Sequence, residues 1–276
     1  MAWTICALTP ARDGLFRFDG GPWTQINQGG IEQLFGGRFG LFATMSPGDP
    51  ASGIQSGSVF RWRKSEGLVF NAWHPVGAPG SEFAVTADAF YGLTPGHEAV
   101  WRWDGPGVGD GRQWTEIGGA AVDLFGGDFG LFATNPAHGD IFHFTGSGWT
   151  RIGNPGANFV VTAESVYGLA GTNVWRYNGT GDAWTQVGGP ADHLYAGPWG
   201  LVATNPSDHQ LYHYLGQPNQ WQAIGGPGAS FAVTDNTVFG LTPDKQAVFR
   251  YNGSPYAWSQ VGGPADSLYA FQEQDV

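Results

Sequence analysis

A five-residue phrase, W-[TSHQ]-x-[IV]-[GN], recurs seven times along the chain, at Trp23, Trp73, Trp114, Trp149, Trp184, Trp221 and Trp258, with spacings of 50, 41, 35, 35, 37 and 37 residues. Nothing else in the sequence restricts the fold as strongly. A repeat of this period is one supersecondary unit, which buries its apolar face only by packing on the next unit. Within one period, residues 191–225, the run "LYA" is followed by "GLVATNP", "LYHYLG" and "WQAIG". Each run is short, rich in aromatic and β-branched residues, and fenced by Gly, Pro, Asn or Asp. These are the signals of strands joined by tight turns, and no 3.6-residue periodicity runs long enough for a helix.

Four antiparallel strands, here called a to d, repeated seven times predict an all-β, seven-bladed β-propeller, in which radial repetition leaves only short sheet edges. A linear solenoid would need capping units, and the sequence shows none. The predicted blades are 31–77, 81–118, 121–153, 157–188, 192–225 and 229–262, with blade 1 assembled from 3–27 plus 266–270. Its composite nature follows from the two ends. The chain opens on "WTICALTP", which aligns with strand b, while "DSLYA" (266–270) is a strand a followed by no b, c or d. Pairing 266–270 with residues 3–8 would close the ring. Two kinds of unit alternate, one carrying "GLFATNP" or its kin, the other "FAVT" followed by "YGLTP" or its kin, which points to an ancestral two-blade duplication.

The strand-c column reads "LFRF" (15–18), "VFRW" (59–62), "VWRW" (100–103), "IFHF" (141–144), "VWRY" (174–177), "LYHY" (211–214) and "VFRY" (248–251). With a period of two, both aromatics face one side, and the aliphatic residue and the cation face the other. Both faces of a blade pack on neighbours, so a nearly continuous apolar strand is required. The cations Arg17, Arg61, Arg102, Arg176 and Arg250, with His143 and His213, are expected to stack on rings or bind carbonyls between blades.

Composition removes several classes of function. The 13 Trp, 19 Phe and 9 Tyr supply far too many apolar anchors for a disordered chain, so the 46 Gly and 18 Pro are punctuation. A net charge of −11 repels nucleic acid and anionic membrane, and no apolar run approaches the roughly 20 residues of a membrane helix. Cys6 is the single cysteine, set in an apolar strand, and reads as a core residue. The first residues lack the basic-then-apolar layout of a secretion signal, so a secreted and a cytoplasmic location both stay open. The Asn178 and Asn252 sequons sit in "YNG" turns and are read as turns.

The succession W-x-x-[IV]-G, a strand, G-[VLF]-[FYV]-[AG] and [IV]-[FYW]-[RH]-[FYW] resembles the tectonin-type β-propeller repeats, lectin-like modules, over essentially the entire chain. The resemblance implies the propeller fold and carbohydrate binding. It carries over no binding residue, because no sugar-binding tripeptide of a defined lectin family is present. Catalytic signatures such as H-E-x-x-H, G-x-S-x-G and the P-loop are missing, and the seven histidines are scattered over different blades. The expected function is therefore a carbohydrate-binding, non-enzymatic lectin without a cofactor or metal, its partner a glycan or small molecule. The alternative is a cyclase or lyase of natural-product biosynthesis that uses the funnel as a shaped pocket.

Candidate binding residues lie on the face shared by the d–a and b–c connections. The position before the first apolar residue of strand a is polar in every unit: Gln33, Glu82, Asp123, Asn158, His193, Ser230 and Ser267. Glu82, Asp123, Asn158 and His193 are the expected funnel contacts, where carboxylates and an imidazole can hydrogen-bond or act as acid and base. Asn135 and Asn205, in the loops "TNPAHGD" and "TNPSDHQ", are expected to contribute from the rim. The loop 45–58 is longer than its counterparts and is a candidate lid.

Overall fold

The computed structural model describes residues 2–46, 55–64, 72–106 and 112–274. Within them run 28 strands, from β1 (Trp3–Leu8) to β28 (Ser267–Gln272). They form seven four-stranded antiparallel sheets, and the chain folds as a seven-bladed β-propeller. β28 completes the N-terminal blade by pairing with β1, in register from Trp3↔Gln272 to Leu8↔Ser267. The clasp thus starts one residue later than "DSLYA" and runs two residues further. Its side chains alternate: Leu268 joins the core shared with blade 7, and Phe271, fully buried, joins the core shared with blade 2. Beyond the strand, the Glu273 carboxylate accepts from the Arg17 guanidinium, from Thr4 Oγ1 at 3.3 Å and from Lys64 Nζ at 3.1 Å. Glu273 and Arg17 are both nearly buried, so the cost of desolvating the pair offsets much of its attraction.

The marker tryptophan is an inter-blade bolt. In six of the seven blades its indole N–H donates to a carbonyl of the preceding blade at 2.6–3.1 Å. The glycine that ends the marker explains how the ring comes so close. A Cβ on Gly153 would lie 2.6 Å from Trp184 Nε1, and one on Gly188 would lie 2.3 Å from Trp221 Nε1.

The alternation of unit types also has a packing meaning. The a–b turns of blades 2, 4 and 6 carry Phe39, Phe129 and Trp199, whose backbone N–H groups donate to Thr86, Thr162 and Thr234 of the next blade at 3.2, 3.0 and 2.8 Å. The same three rings decide what the strand-c cations do. In blade 2 the Arg61 guanidinium lies 4.7 Å over Phe39 and donates to its carbonyl at 3.0 Å. His143 stacks on Phe132 and Phe129 in blade 4, and His213 on Trp199 at 3.8 Å in blade 6. Burial pushes both imidazoles below their ordinary pKa, which keeps them uncharged against the rings. Blades 1 and 3 offer no such ring, and there the expectation of stacking fails: Arg17 pairs with Asp19 and Glu273, Arg102 with Asp104. Arg250 of blade 7 is exposed. Cys6 is fully buried, and burial pushes its thiol up, away from any reactive thiolate.

Candidate functional site

Strand a is the innermost strand of each blade, so its polar lead residue reaches the mouth of the axis. Four of these, Gln33, Glu82, Asp123 and Asn158 of blades 2 to 5, line a cavity of about 480 Å³ together with Phe35, Phe83, Phe125 and Phe159. The rings pair across blade boundaries, Phe35 with Phe83 at 5.3 Å and Phe125 with Phe159 at 5.2 Å. The result is an aromatic cup with a polar rim.

Two of the rim residues also tie blades together. Glu82 Oε2 accepts the Leu124 N–H of blade 4 at 2.6 Å, and Asn158 Oδ1 accepts the Leu194 N–H of blade 6. Asn is one methylene shorter than Glu, and the backbone makes up the difference. The strand shifts register between Ala157 and Val160, and Asn158 takes a left-handed φ of 48°, a conformation Asn tolerates better than most residues. Ser230, at the same place in blade 7, is shorter again, and its buried hydroxyl has no partner among the described residues. Burial raises the Glu82 carboxyl above its ordinary pKa, and the charge of Asp123 adds to this. The Leu124 N–H and His97 act in the opposite direction. Asp123 stays exposed and accepts from Thr134 Oγ1 at 2.8 Å.

The other expected contacts lie elsewhere. His193 is exposed outside the cup, with Nδ1 3.1 Å from Asp192 Oδ2. Asn135 Oδ1 accepts the N–H groups of His138 and Asp140, both at 3.1 Å, and so closes its own turn. Asn205 Oδ1 accepts the Ser207 N–H at 2.8 Å and lines a different cavity. Of the candidate lid, residues 47–54 lie outside the described residues; its described ends, Ser46 and Ser56, both donate to Glu32 Oε1. Among the described residues no three His, Cys, Asp or Glu side chains gather as a metal site.

A second kind of cavity occurs between blades. One of about 330 Å³ lies between blades 4 and 5, against Trp175, Trp184, Phe159, Asp182 and Asn154. One of about 260 Å³ lies between blades 5 and 6, against Tyr212, Trp221, Asn205 and Asn219. Another of about 260 Å³ lies between blades 7 and 1, against Phe16, Trp23 and Thr9. All three are built from the same parts: the first aromatic of strand c, the marker Trp of the same blade, and the Gly/Pro linker that enters that blade. The strand-c reading treats both aromatics as core. The second is buried in Phe18, Trp62, Trp103, Tyr177, Tyr214 and Tyr251, but Trp175, Tyr212 and Phe16 remain half-buried.

No protein-family model and no curated protein matches the chain. Solved structures do. YCF48 from Cyanidioschyzon merolae is similar at 11% identity over 87% of this chain and 88% of that one, with a TM-score of 0.56. A Bacteroides uniformis protein provisionally assigned as a 6-phosphogluconolactonase is 12% identical over 98% and 99%, with a TM-score of 0.54. Apo AztD from Citrobacter koseri is 11% identical over 98% of each chain, with a TM-score of 0.50. The likeness is one of fold alone.

Proposed function

We propose that the chain is a carbohydrate-binding propeller of the tectonin-like kind and that its sugar sites are the clefts between blades. The observation that carries this reading is the recurrence of one aromatic-walled cleft, made of corresponding residues, at three junctions. A pyranose ring has an apolar C–H face and a rim of hydroxyls, and it needs a flat apolar wall beside a few fixed polar groups. The cleft between blades 4 and 5 supplies both, with Trp175, Trp184 and Phe159 as the wall and Asp182 and Asn154 as hydroxyl partners. The Trp184 N–H is held by the Ile152 carbonyl, so its ring is set before any ligand arrives.

The polar partners differ between clefts, Asp182 and Asn154 in one and Asn205 and Asn219 in the next, so the clefts are not copies of one specificity. Each site alone would be weak. Displayed together against a polyvalent glycan they gain avidity by orders of magnitude. The test is a glycan array followed by titration of the best hit: Trp175→Ala is expected to remove binding at the blade 4–5 cleft and Asp182→Asn to weaken it roughly tenfold, about the worth of one charge-assisted hydrogen bond. An array that stays blank at high protein concentration would sink the proposal.

A further inference from the structure

The cup at the mouth of the axis differs in chemistry from the clefts. Its wall is four phenylalanine rings from four successive blades, its rim holds two carboxylates, and among the described residues no Lys or Arg lines it. The faces of aromatic rings attract cations, most strongly where water is partly excluded. The two carboxylates add to this field, and the chain as a whole, at net charge −11, concentrates cations around it.

The rim hydrogen bonds narrow the kind of cation. A primary ammonium needs acceptors aimed at its three N–H groups, and three of the rim oxygens are already engaged. Glu82 Oε2 holds the Leu124 N–H, Asn158 Oδ1 holds the Leu194 N–H, and an Asp123 oxygen holds the Thr134 hydroxyl. What the cup still offers is the negative charge of two carboxylates, an aromatic lining, and the amide groups of Gln33 and Asn158. That combination suits a cation with no N–H to donate and a small polar appendage.

We propose that the axial cup binds a methylated ammonium group, of the choline type, through Phe35, Phe83, Phe125 and Phe159 with Glu82 and Asp123 as counter-charges. The proposal does not rest on the sugar reading: its chemistry differs, and of its four rings only Phe159 also lines a cleft. The geometry has one further consequence. Each ring pair spans two blades, so a ligand in the cup bridges the blade 2–3 unit and the blade 4–5 unit and stabilises the fold by mass action.

The experiment titrates choline, and its neutral isostere 3,3-dimethylbutan-1-ol, into the full chain at low salt by calorimetry and by saturation-transfer NMR. Choline is expected to bind saturably, at least about tenfold more tightly than the isostere, the scale of a desolvated cation–π contact. The double variant Glu82→Gln, Asp123→Asn is expected to lose about tenfold or more in choline affinity with the fold retained, because both amides keep a side-chain carbonyl to accept their present hydrogen bonds. Absence of saturable choline binding overturns the proposal, as does equal affinity for the isostere. Tighter binding of n-butylamine than of choline overturns the methylated class. A blank glycan array with intact choline binding would remove the sugar reading and leave this one standing.

Discussion

Between blades 4 and 5, the Trp184 indole N–H reaches the Ile152 carbonyl at 2.6 Å, with the ring pressed on the bare α-carbon of Gly153. Between blades 1 and 2 the same place is held by Trp73, whose buried N–H has no acceptor among the described residues, and the glycine is replaced by Asn27. The two differences are one. Asn27 carries the Cβ that the close approach excludes elsewhere, so the bolt that joins the other blades is not made here. The indole N–H of Trp62, at the same junction, is also buried without a partner among the described residues. What holds this junction instead is the clasp: Phe271 meets Trp62 edge to face at 5.6 Å, Lys64 reaches Glu273, and Gln274 Nε2 donates to the Arg38 carbonyl at 2.6 Å.

The irregularity falls where an alternating pattern must fail in an odd ring. Blade 1 is a splice. Its strand a, "SLYA" (267–270), is of the kind that blade 6 carries as "HLYA" (193–196), whereas its "LTP" (8–10) is of the kind that blade 3 carries at 93–95. The loop after that strand matches too: Arg12, His97 and Lys245 all take left-handed φ angles, of 56°, 63° and 60°. Blade 1 therefore receives blade 7 as one kind of unit and meets blade 2 as the other.

The largest effect follows from the clasp. Removing residues 265–276 takes away β28, one of the two strands paired with β1, together with the buried Leu268 and Phe271. Losing two such side chains costs about 5–10 kcal/mol, comparable to the entire stability of many domains. Calorimetry should show the single melting transition broken up or lost, and an unchanged melting temperature would refute the account. A regular junction tests the bolt at a smaller scale. Gly188→Ala drives a Cβ into the Trp221 indole and should cost about 1–3 kcal/mol in urea unfolding. Asn27→Ala, at the junction that already has a Cβ, should cost about 1 kcal/mol or less. Equal losses would mean that the glycine is not what admits the indole.

The ring and its closure were legible because both are written in repeated letters: one marker tryptophan per blade, and a final "DSLYA" that copies an internal "DHLYA". The cations of strand c were only half legible, since their partners sit on a neighbouring turn that carries Phe39, Phe129 or Trp199 in alternate blades. For the candidate site, counting along strand a placed Glu82, Asp123 and Asn158 at the axial mouth, and the cup gathers these three. His193 falls outside because its side chain turns to Asp192, a direction that position in a strand does not encode. The clefts were missed for a similar reason. Alternation puts Trp175 and Tyr177 on one face, but it cannot tell that Tyr177 meets a packed blade while Trp175 meets the Gly153–Gly156 linker.

The indoles themselves give a finer comparison. Trp184→Phe removes a satisfied donor and strands the Ile152 carbonyl, whereas Trp73→Phe removes a donor that has no partner among the described residues. Both lose similar ring volume, so the packing cost largely cancels. The Trp73 variant should be less destabilising by about 1–2 kcal/mol, the worth of one buried hydrogen bond. A difference of the opposite sign would show that the first junction is not the weaker one.

The smallest effect separates two junctions that use the same device. Glu82 and Asn158 each hold the N–H of a strand-a leucine of the next blade, but only Glu82 titrates. Its carboxyl is raised above the ordinary value, by burial first and by Asp123 second, against the Leu124 N–H and His97. The folded protein therefore keeps a proton that the unfolded chain has already released, and stability falls as pH rises from the ordinary carboxylate pKa through the raised one. Glu82→Gln keeps the acceptor for Leu124 and removes the proton. Its stability relative to the parent should improve as pH climbs through that window, while Asn158→Gln, tested at the other junction, should show a pH-independent difference. Urea unfolding at a series of pH values measures both. If the two variants track each other across the window, the Glu82 carboxyl does not set the pH response of its junction.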